Sequence, residues 1–471
     1  MNFTRARVNG RAVACTLLSA AGFYVSLGLG DLWWLAWLAP VAVLWYGFGT
    51  DKAGNAFIAA TLAMALGGCN LLQAYGGILP LPILALAIGA PALSFAASVL
   101  GARHVLRALG ALPAMFAFAA LWTAFDLLAS FSREGGTVGT PAATQVAAPL
   151  LIQTASLVGF LGITFLLGLV PAGIALGLRA RSPLLAGIAV AAFAANAAYG
   201  QWRMTEAPTG SLRVALVESD AAVASVQQAD AAAALQAVDA YAANIAPLRA
   251  AQVQLIVLPE NIARLEAPWR EQAQDRLAAA ANRAQATVVA GFNTQTGAGR
   301  QNVAWVFTPG ALQVSTYAKR HLVPGLESTR YLPGLAAFAA NGIGVEICKD
   351  MDFPATLRAD MLATRATLLA VPAWDFGADA WSHARVAILR SVENAVPLAR
   401  STRDGLLTLN DRYGRLLGRA RTKDGFTVLV ADVPLGISSG RTLYDRIGDV
   451  FGWFCLATGT GLLAWSVRRG R

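Results

Sequence analysis

A bilayer core requires a helix of about 20 consecutive apolar residues, and this sequence supplies such runs one after another. They fall near 12–29, 32–49, 54–74, 78–100, 108–130, 150–178, 183–199 and, after a long gap, 447–467. Few charges interrupt them. Over the whole chain 56% of residues are hydrophobic and 14% charged, with a mean hydropathy of +0.52, outside the range of soluble globular proteins. The chain reads as an integral membrane protein with an α-helical bundle of about eight transmembrane helices. Seven belong to an N-terminal membrane domain, 1–205, and one is a C-terminal span, 447–467. Arg5, Arg7 and Arg11 before the first run imitate a secretory signal, but further spans follow closely and no lipobox places a cysteine, so the first helix is expected to be retained.

Basic residues near span ends set the expected orientation, because positively charged loops stay cytoplasmic. With the N-terminus inside, the inner flanks hold Arg5, Arg7, Arg11, Lys52, Arg103, Arg107, Arg179, Arg181, Arg468, Arg469 and Arg471, whereas the short outer loops hold only Arg133. Seven spans before the polar region then put that region on the outer side. The net charge of +10 follows mostly from this topology and calls for no nucleic-acid partner.

The polar region, 211–436, alternates short apolar strands with helices. SLRVALVES, VQLIVLPE, TVVAGFN, NVAWVFTPG, ALQVSTYAK, GIGVEIC, ATLLAVPAW, GLLTLND and GFTVLVADV read as strands. Leu235, Val238, Tyr241, Ile245 and Leu248 repeat at helical spacing, and further helices are expected over about 268–284, 354–365 and 378–394. Such alternation predicts a layered α/β sandwich, whose ligand sites collect at strand ends. Three ends carry reactive groups: Glu260 after LIVLP, Lys319 after VSTYA and Cys348 after GVEI. Cys15, Cys69 and Cys455 fall inside expected spans, leaving Cys348 without a disulfide partner in an outer, oxidising compartment, where an unpaired thiol is shielded or used. Together the three residues describe a thiol nucleophile, a carboxylate base and a cation for thiolate and oxyanion.

A glutamate, a lysine and a cysteine in that order, set in LPEN, YAKRHLVPGLE and EICKDMDFP, resemble the catalytic set of the nitrilase (carbon-nitrogen hydrolase) superfamily. Combined with seven preceding spans and one following, the chain resembles the apolipoprotein N-acyltransferase family, as a divergent member. The likeness includes His321 to Pro324, Glu327, the segment WSHARVAILRSVENAVPLARSTRDG, and Thr442 with Tyr444. It implies an outward-facing nitrilase-like αββα domain at the bacterial inner membrane, on its periplasmic side. It also implies acyl transfer from a phospholipid, through a thioester on Cys348, to the N-terminal amine of a diacylglyceryl-cysteine apolipoprotein. In that reading Glu260 is base and acid, Lys319 stabilises the oxyanion, no metal or cofactor takes part, and the enzyme works as a monomer.

Other residues stand as candidates beside these three. Glu327 has the spacing of a second acid supporting the lysine, and Asp350 and Lys349 follow the nucleophile where the family usually has glutamate and tyrosine. A cation at Lys349 is expected to favour thiolate. Trp374, Phe353 and the intramembrane Asp126 are candidate lipid or substrate contacts. His383 reads as a helix-face residue, and the tryptophans of DLWWLAWLAPVAVLWYG as an interfacial belt. The chain departs from the family at Glu218, Ser219 and Asp220, where glutamine, glycine and asparagine are usual. It departs again in AAVASVQQAD, which lacks a tryptophan, and at Arg403 and Asp404, which stand for two asparagines. These changes keep open a membrane-anchored amidase or hydrolase, or an acyltransferase paralogue with another amine acceptor.

Overall fold

A computed structural model describes residues 10–220, 230–297, 299–423, 425–436 and 442–469. Arg5, Arg7, Arg471 and all but the last residue of AAVASVQQAD lie outside them. The chain divides into two compact units: one made of 10–130, 139–204 and 447–469, the other of 131–138 and 205–446. Each is described by itself.

The first unit is helical. Among the described residues, five of its helices are long and apolar enough to cross a membrane: Leu81–Leu109, Ala111–Ser130, Phe160–Ala180, Pro183–Arg203 and Val450–Arg469. The three earliest expected spans yield shorter helices, Gly10–Ser26, Ala39–Gly49 and Ala53–Gly68. Asn70, just beyond the third of these, donates its side-chain amide to the carbonyls of Tyr24 and Leu27, at 2.7 Å each, and so satisfies carbonyls at the end of the first. The run expected at 150–178 is not one helix. Gly159 sits at φ 70°, between the short pieces Pro149–Ile152 and Ala155–Val158 and the helix that starts at Phe160. Trp37 is buried and donates to Gln145 at 2.7 Å, so this member of the expected aromatic belt is an internal residue. Arg103, Arg107 and Arg179 all reach backbone carbonyls in the turn 47–51. Three of the arginines assigned to inner flanks therefore meet at one end of this unit, beside Lys52.

The second unit is a sandwich of two sheets between two pairs of helices. Its strands are β1 (Gly210–Glu218), β2 (Leu255–Val257), β3 (Arg264–Leu265), β4 (Thr287–Thr296), β5 (Gly299–Phe307), β6 (Ser315–Ala318), β7 (Ala339–Ala340), β8 (Ile343–Val345), β9 (Leu368–Trp374), β10 (Leu398–Arg403), β11 (Leu406–Asn410), β12 (Leu416–Arg421) and β13 (Thr427–Leu435). One sheet runs β13-β1-β2-β4-β5-β6 with β3 beside β4, the other β12-β11-β10-β9-β8-β7. In the centre β1, β2 and β4 are parallel, as are β8, β9 and β10, and the outer pairs are antiparallel.

Strand periodicity explains the layering, since successive side chains point to opposite faces. Val214 and Leu216 of β1 join Leu255 and Val257 in the core between the sheets, together with Val345, Leu368 and Ala370. Ala215 and Val217, one step out of phase, pack instead with Val238, Tyr241, Ile245 and Leu277 of the helices Ala231–Ile245 and Ala267–Ala284. On the other side Leu369 and Val371 meet Leu357 and Ala387, from the helices Pro354–Thr364 and Ala380–Asn394. β10 and β12 were not singled out in the sequence. LARSTR carries two arginines and reads as polar, yet every residue of β10 is buried.

Candidate active site

The nucleophile candidate stands at a strained turn. β8 ends at Val345, and Cys348 opens a 3-10 turn, Cys348–Asp352, with φ at 44°. A left-handed backbone is costly for a residue with a side chain and persists only where its surroundings enforce it. Asp350 is a large part of that enforcement. Its carboxylate accepts from the amides of Ile347, Arg320 and His321, from the Tyr317 hydroxyl at 2.7 Å, and pairs with His321 Nδ1 at 2.9 Å. Burial alone would raise this carboxyl, but the bonds from His321 and Tyr317 hold it below the ordinary aspartate value. The turn is thereby fixed to the segment that follows Lys319.

β9 supplies the opposite wall. The Cys348 thiol lies 3.5 Å from the carbonyl of Trp374, and the amide of Glu260 donates to the carbonyl of the preceding Ala373 at 3.2 Å. Glu260 reaches this place because Gly291 lets β4 pass close by: a Cβ there would lie 2.6 Å from the Glu260 Cα. Lys319, at the end of β6, bridges Glu260 Oε1 at 2.8 Å and Glu327 Oε2 at 2.7 Å. Its side chain is 1% exposed, so the pairing is a buried one and removal of either partner leaves a charge without compensation. Asn302 donates to both carboxylates, at 2.5 and 2.7 Å. Asn302 is not among the residues that the motifs point to; its signal is an amide inside the apolar strand QNVAWVF.

Burial acts to lower the Lys319 ammonium, and Glu260 and Glu327 outweigh it and hold it well above the usual lysine value. Burial raises Glu260, with Glu327 adding to the rise and Lys319 opposing it. Burial and the Glu260 charge push the Cys348 thiol well up, against Lys319 and Arg400. Cys348 is therefore held as a thiol near the Glu260 carboxylate, with the Lys319 cation between the two acids.

Lys349 is 9% exposed and its ammonium pairs with Asp352 at 3.4 Å, lying 5.7 Å over the Phe353 ring. Its charge is answered locally, and the cations acting most on the thiol are Lys319 and Arg400. Phe353 stacks on His321 with centroids 3.8 Å apart. Trp374 lies under the Arg403 guanidinium, 5.0 Å from its ring centroid. Asp126 belongs to the helical unit and accepts from Thr140 and Thr164, at 2.9 and 2.6 Å. Thr137 is a further residue that the sequence did not point to: its amide and hydroxyl both donate to the Asp352 carbonyl, at 2.8 and 2.9 Å, at the end of the Cys348–Asp352 turn. Among the described residues no group of three or more His, Cys, Asp or Glu side chains is arranged to hold a metal ion.

Comparison with known proteins bears on both units. Residues 213–436 match the carbon-nitrogen hydrolase family, and residues 19–173 match the apolipoprotein N-acyltransferase N-terminal domain. The chain belongs to the apolipoprotein N-acyltransferase family. A protein of that name from Gloeobacter violaceus is 26% identical over 96% of this chain and 93% of its own length. One from Geobacter metallireducens is 34% identical over a shorter stretch, 27% of this chain and 24% of that protein. Among solved structures, an amidase from Nesterenkonia sp. is 21% identical over 52% of this chain and 97% of the amidase, with a TM-score of 0.43. Within the family's two-part organisation, Glu260, Lys319 and Cys348 all fall in the carbon-nitrogen hydrolase part.

Proposed function

We propose that this chain is an apolipoprotein N-acyltransferase working by a two-step transfer on Cys348. The observation that carries the reading is the buried Glu260–Lys319–Glu327 bridge beside a thiol held at a left-handed turn. In the first step Glu260 accepts the thiol proton as sulfur attacks the acyl ester of a phospholipid, and Lys319 faces the oxyanion of the tetrahedral intermediate. Collapse expels the lysophospholipid alkoxide, which takes the proton back from Glu260 and leaves a thioester. In the second step the neutral α-amine of a diacylglyceryl-cysteine lipoprotein attacks the thioester. Glu260 takes the amine's proton, sulfur leaves, and the proton returns to it with formation of the amide. Every group needed is on the chain, so the reading invokes no metal or cofactor.

Glu327 and Asn302 position the bridge, Asp350 positions the turn, and Phe353, Trp374 and Asp126 are proposed contacts for lipid or substrate. Lys349 is assigned a supporting place beside Asp352. We assign the enzyme to the bacterial inner membrane as a monomer with about eight spans, its catalytic unit on the periplasmic face. The bias of basic residues toward one set of span ends supports this orientation.

The test is mass spectrometry of a lipoprotein N-terminus after incubation of the membrane-embedded protein with phospholipid and diacylated acceptor. The wild-type chain is expected to add a third acyl chain as an amide, and Cys348→Ala to add none while inserting and folding normally. Acyl transfer retained by Cys348→Ala overturns the mechanism. Release of free fatty acid without acylated lipoprotein indicates the hydrolase reading instead.

A further inference from the structure

Glu218 with Asp220, and Arg403 with Asp404, lie far apart in the chain and together in the fold. Glu218 closes β1 and Arg403 closes β10, and both are fully buried. Asp220 accepts the Asp404 amide at 2.7 Å, tying the two strand ends to each other. The Arg403 guanidinium donates through Nη1 to the carbonyl of Asn261, the residue after Glu260, and its face lies 5.0 Å from the ring of Trp374, whose carbonyl meets the Cys348 thiol. One side chain thus touches the backbone turn that carries the carboxylate and the residue that flanks the thiol. Asn261 has φ at 55°, a conformation that its surroundings must enforce.

The arrangement is expensive for a purely structural role. Nε and Nη2 of Arg403 are buried and make no hydrogen bond among the described residues, and a buried cation without its full complement of bonds costs stability. Burial lowers the guanidinium from its usual value, and the nearby acids Asp220 and Glu260 act against that lowering. A neutral residue would pack here without that cost. Glu218 itself is pushed up to about 9 by burial and by the Asp220 charge, so at neutral pH it does not supply that compensation.

We infer that Arg403 is a positioning residue for the reaction: it clamps the Glu260 turn against β9 and places a second cation, besides Lys319, where it favours the ionised form of the base. Its balance is set by Asp220. The inference rests on the assignment of Glu260 as base to Cys348 and goes beyond it. The groups that bear on Glu260 are then Lys319 from β6, Glu327 from the following loop, the thiol itself and Arg403 from β10.

Alkylation of Cys348 by iodoacetamide in the full-length protein, read by peptide mass spectrometry across pH, tests this without lipid or acceptor. Its result is therefore independent of whether the protein transfers acyl groups. Arg403→Met removes a cation, so Glu260 ionises at higher pH. The acid limb of the profile is expected to move up by about half a pH unit or more, a factor of roughly three in the ionised fraction on that limb. Arg403→Lys keeps the charge and is expected to recover most of that shift while losing rate, because an ammonium cannot both reach the carbonyl and stack as the planar fork does. Asp220→Asn retains the acceptor oxygen for Asp404 and removes the opposing charge, so its limb is expected to move the other way. That isosteric variant decides the matter alone if Arg403→Met fails to fold. An unchanged limb in both, or a shift of the same sign in both, overturns the inference and leaves Arg403 as packing.

Discussion

The helical unit and the sandwich unit bury different things. In the first, close approach is made by small residues: a Cβ on Gly168 would meet the Ala119 backbone at 3.0 Å, and one on Gly459 would meet Leu121 at 2.8 Å. Its half-buried acid, Asp126, takes two threonine hydroxyls. In the second, the strand ends bury charge against charge: Lys319 between Glu260 and Glu327, Arg320 with Glu346 and Asp360, and Arg400 with Asp375. The contrast teaches what each setting permits. Apolar helices in lipid gain little from burying more apolar surface and associate by tight packing and a few hydrogen bonds. A water-exposed sandwich has a hydrophobic core to hold it together, and that surplus supports desolvated ions where chemistry requires them.

The sharpest way to break this contrast is at Lys319. Lys319→Met leaves Glu260 and Glu327 buried and facing each other, and the sandwich is expected to lose about 3–5 kcal/mol, the usual cost of stripping one partner from a buried pair. With Lys319 in its proposed role at the oxyanion, its loss is expected to lower acyl transfer by roughly a thousandfold. Denaturation of the unit together with single-turnover thioester formation measures both. A variant of near wild-type stability would show that the cluster is solvated, contrary to the 1% exposure of its lysine.

Packing is the next lever. Gly168→Leu forces a side chain against Ala119 and Trp122 and is expected to cost about 1–3 kcal/mol through overpacking. A lower thermal midpoint in detergent, with thioester formation per folded molecule kept, is the predicted result. An unchanged midpoint would mean that this helix contact is loose and that the two units differ less than their burial suggests.

Lys349→Tyr should do least. Because Lys349 is paired with Asp352 at 3.4 Å, its removal takes away a cation already answered, and it leaves the Asp352 charge near the turn. The alkylation profile of Cys348 is expected to move upward by less than about 0.3 pH unit. A shift as large as that for Arg403→Met would show that the ammonium acts on the thiol directly.

Local pattern made much of this legible. The alternation in SLRVALVES marked a strand, and in the structure its neighbours Val214 and Ala215 fall in different cores. Helix 231–245 followed from Val238, Tyr241 and Ile245, all buried on one face. The broken run at 150–178 was less legible, because Gly159 in an apolar stretch is compatible with a continuous helix until its φ of 70° is known. β10 was hidden for a different reason: its arginines make LARSTR look exposed, and only the partners Asp375 and Asn261, brought from other strands, make their burial tolerable.

What the sequence determined by itself was the alternation of apolar runs with a polar sandwich, and the presence of Glu260, Lys319 and Cys348 at three strand ends. Both are properties of short stretches, read from hydrophobic period and residue type. Strand order decided the rest. With β9 between β8 and β10, and β1 beside β2, the ends carrying Cys348, Trp374, Arg403, Glu218 and Glu260 converge. Asn302 thereby comes between two carboxylates, and Thr137 beneath the carbonyl of Asp352. Such contacts join residues tens to hundreds of positions apart, so no local period encodes them. They exist only once the register of neighbouring strands is fixed, because a one-residue slip turns each of these side chains to the opposite face.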